Sequence, residues 1–98
     1  MNVFDALGDP SRRAIVEQLG HGSRSVREIA DAMPISRPAV SRHLRVLREA
    51  GLVEQEAQVG TRRIYRLRAE GVDEVREHLE HLWGDVAIRF RLFAENTG

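Results

Sequence analysis

Arginine and serine side chains recur along one face of a predicted helix within residues 35–53. Both residue types donate hydrogen bonds to guanine edges and phosphate oxygens, and an α-helix fits the major groove of B-DNA. Apolar residues of the same segment recur at three- and four-residue spacing, which predicts a buried opposite face. They are Val40, Leu44, Leu47 and, past the turn, Leu52. The segment is therefore predicted to be a helix that reads DNA.

The predicted DNA contacts lie in this helix and in a β-hairpin after it. In the helix they are Ser36, Arg37, Pro38, Ser41, Arg42 and Arg45. Arginine is the side chain best suited to guanine, so Arg37, Arg42 and Arg45 are predicted to read bases. Arg62 and Arg63 of the hairpin would contact the flanking backbone or the minor groove. His43 lies near the apolar face and is predicted to have a supporting role.

The formal net charge is zero, but the charge is unevenly distributed. Residues 36–69 contain eight arginines and three acidic residues, for a net charge of +5. The net charge is −1 over residues 1–35 and −4 over residues 70–98. Attraction of phosphate depends on the local field, so the middle third is predicted to face double-stranded DNA. The acidic tail beside it would limit non-specific binding.

Composition excludes several classes of protein. The chain has no cysteine, so disulfides and thiolate metal sites are excluded. No run of ~18 apolar residues and no signal-peptide pattern occurs, which predicts a cytoplasmic protein without a membrane partner. No nucleophile stands beside a base, and no glycine-rich phosphate loop or carboxylate pair is found, so we expect neither an enzyme nor a cofactor. We expect a single domain over residues 1–98.

Capping residues predict where the helices begin. Residues 2–7 form a predicted first helix. Asp9 and Pro10 start the second, because aspartate favours the N-cap and proline the first helical position. Ser25 and Glu28 form a capping box, and Ser36 caps the DNA-reading helix, which ends at Gly51. The short gap between the last two helices is typical of a helix-turn-helix. Strands at residues 52–56 and 61–68, joined by a turn at 57–60, then predict a hairpin.

Residues 71–94 predict a long amphipathic helix with an apolar stripe. The stripe is too large for so small a domain to cover, so we interpret this helix, together with the N-terminal helix, as a homodimer interface. Gly84 would allow either close packing or a bend there. The predicted interface residues are Val3, Phe4, Val75, Leu79, Leu82, Trp83, Val86 and Phe90.

Three motifs in order resemble the ArsR/SmtB family of bacterial repressors. Residues 4–15 are similar to its opening "ALADPTRRAIL", residues 36–53 to its "S-x-x-x-V-S-x-H-L-x-x-L-x-x-A-G-L-V" block, and residues 60–67 to its wing. The resemblance implies a mainly α fold with a minor β component: a winged helix-turn-helix of about five helices with a two-stranded β-hairpin wing. It also implies a homodimeric repressor on a palindromic operator. Two recognition helices related by a two-fold axis would require an inverted repeat.

The chain departs from the family at the metal sites. Where arsenic- and cadmium-sensing members have Cys-Val-Cys, this chain has Ser25, Val26 and Arg27. His78 and His81 reproduce one ligand pair of the zinc-sensing members, but Tyr65 and Leu67 stand where the other pair would be. Two of four ligands do not make a tetrahedral zinc site, so we predict no metal site. A zinc-responsive repressor using His78 and His81, with acidic residues completing the site, and a winged-helix module that binds protein instead of DNA stay as alternatives.

Overall fold

The computed structural model describes residues 2–97 and shows five helices with a three-stranded antiparallel sheet. The mainly helical winged helix-turn-helix fold predicted from the sequence is confirmed. The elements are α1 Val3–Ala6, α2 Pro10–Leu19, β1 Arg24–Ser25, α3 Val26–Asp31, α4 Arg37–Glu49, β2 Val53–Val59, β3 Arg62–Leu67 and α5 Ala69–Thr97. Strands β2 and β3 and their turn form the wing.

Three helices begin at the predicted caps. The Asp9 carboxylate accepts a hydrogen bond from the Arg12 backbone N–H at 3.0 Å. Ser25 Oγ accepts from the Glu28 N–H at 3.1 Å, while Glu28 Oε1 accepts from the Ser25 N–H at 3.0 Å, which completes the capping box. Ser36 Oγ accepts from the Ala39 N–H at 3.3 Å. These side chains satisfy N–H groups that no helical carbonyl can reach.

The core holds α4 by the face that its apolar spacing predicts. Val40, Leu44 and Leu47 are almost completely buried, and Leu52 joins them after Gly51, whose φ of 80° ends the helix. Side chains of α2 and α3, including Ile15 and Ile29, pack in the same cluster. Because α4 is fixed along one side by this core, its opposite side has a defined direction.

The sheet has one strand more than the predicted hairpin. Strand β1 pairs with β3, with Arg24 opposite Tyr65 and Ser25 opposite Ile64. The predicted turn at residues 57–60 is also wrong, because β2 continues to Val59 and the chain reverses at Gly60, where φ is 61°. A bulge between Gln55 and Ala57 accommodates the extra residue in β2.

Helix α5 is longer than the predicted segment 71–94 and extends along the longest dimension of the molecule, 63 Å. Its first turn approaches the end of α4 so closely that a Cβ added to Gly71 would overlap the carbonyl oxygen of Gly51. Val3 was predicted to lie in a dimer interface, but it is only 6% exposed and packs in the core of the protomer. Its place in α1, whose inner side rests on the domain, explains the difference.

Two arginines of α2 attach α1 to the domain. Arg12 Nε donates to the Ala6 carbonyl oxygen at 2.6 Å, and Arg13 Nη1 donates to the Leu7 carbonyl oxygen at 2.9 Å. The four-residue helix α1 is too short to be stable alone. These hydrogen bonds to its last carbonyl groups therefore help to hold it.

Replacing Arg12 with alanine is expected to lower the free energy of unfolding by about 1–2 kcal/mol, because a charged donor to partly buried carbonyl groups is lost. Urea unfolding at one fixed protein concentration measures the change. Arg13→Ala is the matched control, since Arg13 is exposed and its bond is in contact with water. A loss for Arg12→Ala no larger than that for Arg13→Ala would contradict this assignment.

Candidate nucleic-acid interface

The recognition helix α4 has its arginines on the side away from the core. Arg42 and Arg45 are exposed and lie opposite the buried Val40 and Leu47 at 3.6 residues per turn. Ser36, Arg37 and Pro38 are exposed at the N-terminal end of α4, and Ser41 is half-buried behind them. His43 is half-buried on the side of the core, consistent with a supporting role. The exposed side can approach a major groove without disturbing the core.

A groove separates the start of α4 from the wing and has a volume of about 670 Å³. Five of the predicted DNA contacts line it: Arg37, Pro38, Ser41, Arg62 and Arg63. The start of α3 forms its third wall. Ser36, Arg42 and Arg45 are not among the residues that line this groove, and Arg42 and Arg45 lie further along α4. The structure thus brings the two predicted contact regions, helix and wing, to the sides of one groove.

The predicted contact arginines differ in their internal partners. Within residues 2–97, no hydrogen bond or ion pair of the protein holds the side chains of Arg37, Arg42, Arg45 or Arg63. By contrast, Arg62 Nη2 lies 3.4 Å from Glu28 Oε1. Guanidinium groups without an internal partner are free to donate to bases and phosphates. At Arg62, one of the donors is already directed to a carboxylate of the protein, with which another anion would compete.

Six of the groove residues were not among the predicted contacts, and two of them have exposed side chains that can donate to phosphate. Arg27, in the first turn of α3, and Thr61, in the turn of the wing, both line the groove. The Arg27 guanidinium is 3.9 Å from the Asp31 carboxylate, and both side chains are largely exposed. In helix-turn-helix proteins the first helix crosses the DNA backbone, so the position of Arg27 near the start of α3 was a usable signal. Thr61 carried no comparable signal.

Glu28 is held as an anion by its neighbours. Its pKa lies below the ordinary value, first because the Ser25 backbone N–H donates to the carboxylate, then because of the Ser25 side chain, and to a lesser extent because of the charge of Arg62. Hydrogen bonds to the ionised form and a nearby positive charge both favour that form. At neutral pH the groove therefore contains a negative charge among its arginines.

The predicted interface residues of α5 leave a large apolar surface exposed. We call this surface, with two neighbouring residues added, the α5 stripe: Val72, Val75, Leu79, Leu82, Trp83, Val86, Phe90 and Phe93. Trp83 and Phe90 are each 70% exposed, and Leu82 is 52% exposed. Val75 is half-buried against the core, and Phe4 of α1 is exposed close to α5.

The two histidines of the alternative zinc site, His78 and His81, have different neighbours. The His78 ring lies 4.7 Å from the ring of Phe4, between centroids, and His81 Nε2 lies 3.8 Å from the Asp85 carboxylate. Across residues 2–97, the structure contains no group of three or more histidine, cysteine or acidic side chains arranged to hold a metal ion.

Across the same residues, no helix is both long and apolar enough to span a bilayer.

Comparison with known proteins agrees with this geometry. Residues 7–56 match the model of a helix-turn-helix domain family. The HTH-type transcriptional regulator Rv2034 of Mycobacterium tuberculosis is 49% identical over 96 residues, which cover 98% of this chain and 89% of that protein.

Two solved structures show the same fold. An ArsR-like transcriptional regulator from Rhodococcus sp. RHA1 superposes with a TM-score of 0.73 and 31% identity, covering 95% of this chain and 87% of that one. The homodimeric winged helix-turn-helix DNA-binding domain Mb0332 from Mycobacterium bovis superposes with a TM-score of 0.67 and 36% identity, covering 81% and 80% of the two chains. The chain therefore belongs to the ArsR/SmtB family of helix-turn-helix transcriptional regulators, which bind DNA and are not enzymes.

Proposed function

We propose that this regulator is a homodimeric repressor that binds an inverted-repeat operator. Residues 1–98 act as one winged helix-turn-helix domain, with α4 in the major groove and the wing on the flanking DNA. One observation carries the proposal: the same chain has the exposed apolar α5 stripe and a basic face of α4 whose arginines have no partner among the described residues. One surface joins two copies, and the other reads DNA.

The exposed area of the α5 stripe supports the dimer. Aromatic side chains such as Trp83 and Phe90 each bury a large apolar area when they are covered, which makes their exposure costly. A symmetric dimer would cover the stripe of each copy with the same stripe of the other. The homodimeric relative Mb0332 supports the same assembly. The apolar residues at the start of the stripe continue it towards α1, so Phe4 would lie at the edge of the interface.

A two-fold axis between the copies determines the form of the target. Two α4 helices would enter successive major grooves about 34 Å apart on one side of the duplex. Each half-site would be read by Arg37, Arg42 and Arg45, while Arg62 and Arg63 would contact the adjoining backbone. A dimer bound over a promoter would exclude the polymerase from that DNA, which is repression by occupancy. Because the proposed target is DNA in a bacterial cell, we place the protein in the cytoplasm.

Leu82→Glu is expected to convert the dimer into a monomer, because it places a charge in the centre of the stripe. Sedimentation at micromolar concentration should give twice the 11.1 kDa chain mass for the native protein and the chain mass for the variant. Trp83 is the single tryptophan, so its fluorescence emission should shift to shorter wavelength as native dimers form.

Ile88→Glu is the matched control. Ile88 is also on α5 and is 61% exposed, but it lies on the helix face opposite the stripe. This variant should remain dimeric. A native protein that sediments as a monomer, or equal dissociation of the two variants, would overturn the proposed interface.

The operator itself is tested by nuclease protection of the intergenic DNA upstream of the gene. We expect protection of two half-sites related by a dyad, with one dimer bound per site. Protection without such symmetry, or one chain per site, would contradict the proposed mode of binding. Transcription from the protected promoter, with and without the protein, then distinguishes repression from activation.

A further inference from the structure

The groove between α3, α4 and the wing contains acidic residues where a DNA phosphate would enter. Four arginines line it, Arg27, Arg37, Arg62 and Arg63, together with the carboxylates of Glu28 and Asp31. A phosphate attracted by the arginines must also approach these carboxylates. Like charges at close range repel, so the carboxylates oppose the binding that the arginines favour.

Glu28 is placed where it competes directly for one arginine. Its Oε1 accepts from the Ser25 backbone N–H at 3.0 Å and lies 3.4 Å from Arg62 Nη2. A guanidinium also binds phosphate oxygens. The carboxylate of Glu28 thus occupies a donor of Arg62 from within the protein.

The position of Glu28 is set by the fold and does not depend on Arg62. The capping box holds the carboxylate at the first turn of α3, while β1 holds the same turn against β3 of the wing. Both side chains are about half exposed, 59% for Arg62 and 53% for Glu28, but Glu28 also accepts from the Ser25 N–H, whereas Arg62 has no second partner among the described residues. When a competing anion arrives, the flexible arginine can turn towards it, and the glutamate stays in place.

We propose that Glu28 acts as an internal counter-ion for Arg62 that competes with a DNA phosphate and weakens binding to DNA of any sequence. The inference rests on the proposed contact between the wing and the DNA backbone. Its consequence is a lower affinity for operator and unrelated DNA alike: the base contacts of α4 are untouched, so the ratio of the two affinities is unchanged, while the sequence-independent part of the affinity is reduced. The net charge of zero over the whole chain acts in the same direction.

The variant Glu28→Gln tests this proposal, because glutamine keeps the capping-box acceptor and removes the charge. An exposed ion pair contributes about 0.2–1 kcal/mol, so we expect affinity to increase by roughly 1.4- to fivefold for each wing that is released. The increase should be the same for operator and unrelated DNA. The plot of log K against log salt should become steeper by up to about one per protomer, as for one more phosphate contact. A purely structural role would not change this slope.

A double-mutant cycle with Arg62→Ala separates competition for Arg62 from a general effect of charge. In the Arg62→Ala background, the gain from Glu28→Gln should fall to the level of Asp31→Asn. Asp31 lines the same groove and loses the same charge, but its partner is Arg27. The gain from Asp31→Asn should be equal with and without Arg62. Thermal unfolding of each variant verifies that the cap and the fold are retained.

Three outcomes would overturn the proposal. They are unchanged or weaker DNA binding by Glu28→Gln, a gain confined to the operator, and a gain that is fully retained without Arg62. If the wing does not contact the DNA backbone, the result is different. Arg62→Ala alone would then leave affinity and salt dependence at the native values.

Discussion

Arg42→Ala is expected to weaken operator binding by about 1–3 kcal/mol per half-site, and therefore by about 2–6 kcal/mol for a dimer on both half-sites. Arg42 is exposed on the middle of the α4 side that faces away from the core, and no carboxylate of the described residues pairs with it. Its loss removes a base contact and leaves the helix caps and the core unchanged. Titration of labelled operator at one fixed salt concentration measures the effect.

The matched control for this prediction is Arg48→Ala. Arg48 is an exposed arginine in the last turn of the same helix and was not predicted to contact DNA. Its removal changes the charge equally but removes no predicted base contact. It should therefore weaken operator binding much less. Equal losses for the two variants would show that only the charge of α4 matters. An equal loss for Arg42→Ala on operator and unrelated DNA would make Arg42 a phosphate contact and not a reader of bases.

Gly71→Ala is expected to lower the free energy of unfolding by roughly 3 kcal/mol, at the upper end of the cost of overpacking. The added methyl group would overlap the carbonyl oxygen of Gly51 and press on the backbone of Leu52. Backbone atoms cannot rotate away as a side chain can. The start of α5 would have to move away from the end of α4. The gain in helix propensity of ~1 kcal/mol would not offset the cost of this displacement. Urea unfolding at fixed protein concentration measures the change.

Gly84→Ala is the matched substitution in the same helix. Apart from the adjacent residues and the nearby backbone of α5 itself, no atom of the described structure lies within 4 Å of a Cβ added there, so alanine should stabilise the protomer by up to about 1 kcal/mol. A destabilised Gly84→Ala protein, or a stable Gly71→Ala protein, would contradict the packing described for α5. Sedimentation of Gly84→Ala adds a second result, because weaker dimerisation would indicate close packing of the partner at Gly84.

Local chemistry made much of this fold predictable. The caps at Asp9, Ser25 and Ser36 involve partners only three residues away, so the sequence contains the whole interaction. The same holds for Gly51, whose positive φ ends α4. The exposed face of α4 followed from its periodicity alone, and with it the predicted contacts Arg42 and Arg45.

Interactions between distant residues were not predictable in the same way. Strand β1 has two residues, and its pairing with Tyr65 and Ile64 joins segments about forty residues apart that have no shared pattern. The contact of Gly71 with Gly51 is between backbone atoms, and a glycine in a helix does not indicate which distant segment approaches it. The pairing of Glu28 with Arg62 depends on the same approach of wing and α3. Assigning Val3 to the core likewise required knowing where α1 rests.

Ser25 belongs to two structures at once. Its backbone pairs with Ile64 in the sheet, its side chain caps α3, and it is almost completely buried. The middle of β3 in the wing and the first turn of α3 therefore cannot open independently, because the opening of either one breaks contacts of Ser25. In hydrogen exchange, the amides of both should exchange as one cooperative unit, while the distal end of the wing exchanges faster. A signal that displaces the wing would thus reach the helix-turn-helix through one shared residue.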